Sequence, residues 1–162
     1  MIRQTKKSRA ALAAGVVGLG LVLSACSPVT TDKPYAASDG VRAVAGTMTV
    51  ENLMLVTEGE GEPGRLLGGA TNSSAEPGEL LLATADGTAS LGVPIDGRDT
   101  VNFFADGTAT FFEAVPVAPG SNLPMTITDP SGTTTSVAVP VLDGTLPEYR
   151  DVFSSIPSPE MP

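Results

Sequence analysis

Residues 88–95 read TASLGVPI: Ala89, Leu91, Val93 and Ile95 share one parity, and Thr88, Ser90, Gly92 and Pro94 share the other. A period of two marks a strand with one face in the core and one in water. The same alternation returns in Leu123, Met125 and Ile127 against Pro124, Thr126 and Thr128, and again in Val137, Val139 and Val141 against Ser136, Ala138 and Pro140. Residues 48–57, 65–72, 79–84, 100–104 and 108–115 are less regular, but turn residues bound them in the same way. Nowhere does an apolar pattern of helical period last three turns. About eight strands with turns every 8 to 12 residues predict an all-β chain folded as an immunoglobulin-like antiparallel sandwich of about 7–9 strands, with a small closed barrel as the alternative.

The punctuation agrees. Gly 18 and Pro 14 make up about a fifth of the 162 residues. Asp-Gly occurs at 39, 86, 96, 106 and 143, and Asp129-Pro130-Ser131-Gly132 adds another turn. Asp-Gly suits a type I′ turn, in which both central residues take positive φ. Ala-Asp-Gly-Thr-Ala at 85–89 recurs at 105–109, which reads as shared turn chemistry and not as a solenoid repeat. Pro94 and Pro140 lack a ladder N–H, so edges or bulges are expected there. After the last strand, Thr145-Leu146-Pro147-Glu148 has capping-box spacing, with Tyr149, Val152, Phe153 and Ile156 at helical intervals behind it. A closing C-terminal helix of two or three turns, ended by Pro157, is expected.

Ahead of the strands lies a different kind of sequence. Arg3, Lys6, Lys7 and Arg9 precede fourteen apolar or small residues, 10–23, and then Leu23-Ser24-Ala25-Cys26. The apolar run is short for a membrane-spanning helix, which needs about 20 residues, so 1–25 reads as a Sec-type signal peptide without a twin arginine. The four residues ending in Cys26 resemble the bacterial lipobox, whose cysteine thiol receives a diacylglycerol before cleavage on its N-terminal side. The alternative is an ordinary secretory cut that leaves a free thiol. Lipidation of Cys26, with two or more acyl chains, would hold the protein stably on a bilayer. The resulting order is a signal peptide (1–25), a lipidated Cys26 and flexible stalk (26–40), a sandwich domain (41–157) and a disordered tail (158–162). The expected site is the extracytoplasmic face of the cell membrane.

Composition closes off most chemistry. The chain has no His, one Cys and no Trp, so Ser-His and Cys-His pairs and imidazole-ligated metals are excluded. Lys33, the single lysine after the signal peptide, lies in the stalk, which argues against a Ser-Lys dyad. No enzyme and no cofactor are expected. Without residues 1–25, five bases face eighteen acids, a net charge of −13, and those bases (Lys33, Arg42, Arg65, Arg98, Arg150) are scattered. No nucleic-acid partner is expected on such a body, and anionic head groups would repel it.

The candidate contact surface comes from the hairpin around Asp106-Gly107. A two-residue turn would pair Ala105 with Thr108, Phe104 with Ala109 and Asn102 with Phe111. Val101, Phe103, Thr110 and Phe112 then share one face, and Asn102, Phe104, Ala109 and Phe111 the other. With the first face in the core, Phe104 and Phe111 form an aromatic pair that could bind an envelope protein or a small ligand. The competing reading is that Tyr149 and Phe153 of the closing helix, or the N-terminal strand, cover them. Glu58, Glu60 and Glu62 could hold Ca²⁺ weakly, but no calcium motif is present and a solvated loop explains them better. Asn72-Ser73-Ser74 fits a glycosylation sequon, of little meaning in a bacterial lipoprotein, and Thr30-Thr31 could carry sugar.

VRAVAGTMTVENLMLVTEGEG (41–61), GRLLGGATNSSAEPGELL (64–81) and TTTSVAVPVLDGTLPEYRDVFSSIP (133–157) resemble actinobacterial envelope lipoproteins related to the PCuAC copper-chaperone family, including LpqE-type proteins. The resemblance covers about residues 41–157 and rests mostly on strand and turn patterns. It implies a cupredoxin-like or immunoglobulin-like sandwich outside the plasma membrane. PCuAC proteins hold Cu(I) with two Met and two His, and half of that set is absent here. Met48 and Met125 are in phase with core residues, Met161 lies in the tail, and Met54 is ambiguous. Copper handling through methionines alone is the alternative function, and core packing of the thioethers is the favoured reading. No metal ligand set is assigned.

Overall fold

The computed structural model describes residues 38–107 and 110–155, except for the side chains of Phe153 and Ser154. The signal peptide, Cys26, the stalk to residue 37, Thr108, Ala109, Ile156, Pro157, Met161 and the tail lie outside the described residues. Among the described residues nine strands form: β1 (Val41–Ala45), β2 (Met48–Thr57), β3 (Gly64–Asn72), β4 (Gly78–Thr84), β5 (Ser90–Ile95), β6 (Thr100–Asn102), β7 (Phe111–Phe112), β8 (Asn122–Thr128) and β9 (Thr134–Leu142). A 3-10 turn, Pro147–Tyr149, runs into the short helix α1 (Arg150–Ser155).

The alternating segments form one half of the sandwich, with β5, β4, β8 and β9 side by side and antiparallel. Their inward parity is the apolar one: Leu80, Leu82, Val93, Ile95, Leu123, Met125, Ile127, Val139 and Val141 are all buried. The other half is built on β2, flanked by β1 and β3, with β6 and β7 on the far edge of β3. The two halves meet where β9 runs parallel to β2, Leu55 beside Val141 and Val56 beside Leu142. The result is a nearly closed, nearly all-β sandwich, and its expected antiparallel pattern is broken at this one seam. Pro94 does lie on an edge strand, β5. At Pro140 no bulge forms; the β8–β9 register runs through it, and pairing with β2 begins only at Val141.

β1 is a strand that the alternation did not single out. Its inward residues are Ala43 and Ala45, small enough to leave little hydropathy contrast, and it turns into β2 through Gly46-Thr47 with Gly46 at φ 54°. The Asp-Gly turns are real but are not the expected type I′. Among the described residues only Asn52 and Arg98 of the non-glycines have positive φ, so no Asp takes that conformation. The aspartates act through their carboxylates instead. Asp86 Oδ1 accepts from the Thr88 N–H (3.1 Å), Asp143 Oδ1 from the Thr145 N–H (3.0 Å), and Asp129 Oδ1 from the Ser131 and Thr133 N–H groups. These are Asx turns, which bind the backbone two residues on.

β2 contains the feature that builds the site. Up to residue 51 its inward positions are Met48 and Val50; after it they are Leu53 and Leu55. One extra residue, Asn52, changes the parity, and the register with β3 shifts between Glu51 and Met54. That is a β-bulge, and Asn52 takes the left-handed conformation (φ 54°) that asparagine tolerates. Opposite it Gly68 sits at φ 123°, where a Cβ would come within 2.7 Å of the Glu51 and Asn52 carbonyl oxygens. The bulge turns Met54 and Val56 outward, where they form a second apolar cluster with Leu67, Tyr149 and Val152. The closing helix is the cover of that cluster.

Candidate functional site

β3 alternates too: Leu66 points into the main core, whereas Arg65 and Leu67 emerge on the outer face beneath the closing helix. Arg65 is only 5% exposed. Its Cζ lies 4.7 Å from the ring centroid of Phe104 and 4.8 Å from that of Phe111. Nη2 donates to the Phe103 carbonyl at 3.1 Å and Nη1 to Ser155 Oγ at 2.7 Å. Burial lowers the guanidinium pKa, yet arginine remains charged at any physiological pH. A planar cation between two π faces is a favourable arrangement, and two hydrogen bonds fix its plane.

This geometry corrects the expected hairpin. β6 and β7 do not pair with each other; both run along the same edge of β3, with Val101 beside Ala70 and Phe111 beside Arg65. Asn102 is the reason. Its Oδ1 accepts from the N–H groups of Phe104 (3.0 Å) and Ala105 (2.9 Å), and its own N–H donates to Asp106 Oδ2 at 2.6 Å, curling 102–106 into a tight turn before Gly107 is reached. The division of faces is nevertheless as expected. Phe103, Thr110 and Phe112 are buried and Val101 packs on the core, whereas Phe104 and Phe111 are on the other side. Both rings pack against the Arg65 guanidinium. Phe111 is half-buried and Phe104 is 42% exposed.

Phe104 edges a groove of about 550 Å³ on this outer face. Met54, Leu67 and Val152 form the apolar floor, and Glu51, Glu148, Asp151 and Asn102 the polar rim. Tyr149 borders it and donates through Oη to Asp39 Oδ2 at 2.6 Å. Burial, then the hydrogen bond to Asp39 and its charge, push the Tyr149 phenol up to about 12. Asn52 Oδ1 accepts from the Gly40 N–H at 3.0 Å and from Ser38 Oγ. Residues 38–40 are thus fastened to two groove residues, Asn52 and Tyr149. Sequence reasoning singled out Phe104 but not the groove, since Asn52 and Gly68 carry no periodic signal.

Met48 and Met125 are in the main core and Met54 is in the outer cluster, each at most 3% exposed. Among the described residues no group of three or more Cys, Asp or Glu is placed to hold a metal ion, the 58–62 loop included. The expected capping box is absent: no side chain caps the 3-10 turn, whose N-cap is Leu146, and the closing helix is described as far as Ser155. Asn72 of the sequon is 1% exposed, its amide donating to the carbonyls of Glu76 and Ile95.

No protein-family model and no curated protein matches this chain. Solved structures with a similar chain path include three PCuAC domains. The copper-bound domain from PmoF2 has a TM-score of 0.46 at 16% identity, over 63% of this chain and 97% of that one. The apo domain from PmoF1 has a TM-score of 0.46 at 14% identity, over 62% and 97%. The apo PmoF2 domain has a TM-score of 0.46 at 16% identity, over 65% and 97%.

Proposed function

We propose that this chain is a non-catalytic binding module of the cell envelope, anchored through lipid on Cys26 to the extracytoplasmic face of the cell membrane, and that it meets its partner at the groove edged by Phe104. In this reading it is an envelope lipoprotein of the actinobacterial, LpqE-type kind that its strand and turn pattern resembles. The anchor rests on the Leu23-Ser24-Ala25-Cys26 sequence. The contact surface rests on one observation: a large aromatic side chain, 42% exposed, is held in place by the stacked and doubly hydrogen-bonded guanidinium of Arg65. A rigid aromatic presented beside an apolar groove loses little conformational entropy on binding, which is why such residues anchor interfaces.

Copper handling by methionine alone is the weaker reading, because Met54 is buried under α1 and the thioethers of Met48 and Met125 belong to the other cluster. The test of the leading reading is a photo-crosslinking amino acid in place of Phe104 in the full-length protein in its own envelope. A discrete adduct is expected from position 104. Leu81, a comparably exposed apolar residue on β4, is the control and should give none. Absence of any adduct at 104, or identical adducts from both positions, would contradict the proposal.

A further inference from the structure

We infer that the groove takes a basic segment with an apolar anchor, belonging to an integral protein of the same membrane; this rests on the binding reading above and on lipidation of Cys26. Residues 38–40, where the tether joins the domain, are fastened to Asn52 and Tyr149, and both of these line the groove. Eleven residues, 27–37, separate them from Cys26. A chain extends at most about 3.3–3.6 Å per residue, so Ser38, fastened at the groove margin, stays within about 43 Å of the lipidated cysteine whatever the conformation between them. A partner rooted in the same bilayer therefore meets the groove at a high effective concentration.

Among the described residues the groove lining carries three carboxylates, Glu51, Glu148 and Asp151, and no base. Arg42 pairs with Glu51 at 2.6 Å and leaves Glu148 exposed on the rim. The protein beyond residue 25 carries −13 overall, which opposes docking on anionic head groups and favours a cationic chain. The apolar floor and Phe104 ask for one apolar or aromatic side chain within that cationic segment.

The experiment maps the adduct formed from position 104 in the lipidated full-length protein, in its native membrane, by mass spectrometry. The expected adduct falls on an integral protein that resists alkaline extraction, in an extracytoplasmic peptide containing at least two Lys or Arg. Glu148→Lys should lower its yield at least about fivefold, whereas Glu60→Lys, an equal charge change in the 58–62 loop, should leave it within about twofold. An adduct to a soluble protein, a lipid, a glycan or a second copy of this chain, or a yield indifferent to Glu148→Lys, overturns this inference and leaves the binding reading standing. No adduct at all removes both.

Discussion

Arg65 and Phe104 are coupled more closely than their separation of 39 positions suggests, because the guanidinium is the surface on which the exposed ring rests. Lysine cannot take its place, since an ammonium lacks both the flat face and the fork that reaches Phe103 and Ser155 together. A double-mutant cycle in urea, followed by circular dichroism, should therefore give a coupling of about 0.5–2 kcal/mol between Arg65→Lys and Phe104→Ala. Simple additivity would show that the stacking contributes nothing. None of this was legible in the sequence, where Arg65 is one scattered base among five after the signal peptide. A pattern of polar and apolar residues shows which parity faces inward. It is silent on what a charged outward residue stacks against once strands far apart in the chain are brought together. The aspartates show a related ambiguity. Asp-Gly marks a turn reliably, but whether Asp supplies a positive φ or a carboxylate acceptor depends on where the next N–H lies, and Asp86 and Asp143 take the second route, as does Asp129 in its Asp-Pro turn.

At the scale of elements, period-two reading works as long as a strand keeps its parity. It located β5, β8 and β9 to within two residues, turn residues bounded β2, β3 and β4 as closely, and the parity breaks at Asn52, where one inserted residue exchanges the two faces of β2. Met54 was ambiguous for that reason: on an unbroken strand it would share the core with Met48 and Val50, and past the bulge it belongs to the outer cluster. Closing that cluster is the task of the C-terminal turn and helix, which dock through Val152 and Tyr149. Tyr149 also gives an optical report of the docking. Its folded-state pKa is raised to about 12, so the stabilisation it contributes is complete below the ordinary phenol pKa of about 10 and is lost as pH rises through 12. Wild-type protein should show a phenolate absorbance step near pH 12 and progressive loss of stability between about pH 10 and 12. In Tyr149→Phe, Tyr35 remains as the single phenol, and both the late step and that pH-dependent loss should vanish. A late step that persists in the variant would place the perturbed phenol elsewhere.

For the whole molecule, alternation and turn spacing were enough to give a sandwich, because burying one face of each of several short strands leaves few other solutions. The single parallel contact between β2 and β9 was beyond that reasoning, since it joins segments about 85 residues apart and periodicity carries no information about partners. Where the molecule sits is a question for the sequence before residue 38. An acidic body of net charge −13 has no electrostatic reason to stay at a membrane surface, so on the proposed reading the acyl chains at Cys26 supply the whole of the attachment. Replacing that one sulfur should then have an all-or-none effect. In Cys26→Ala the body should appear in the medium, or the uncleaved precursor should accumulate. The wild-type protein extracted from membranes should have an intact mass equal to residues 26–162 plus a diacylglycerol, with or without a further acyl group. A Cys26→Ala protein cleaved at the same place and still sedimenting with the membrane would mean that something other than lipid holds it there, and the distance argument for the groove would lose its origin.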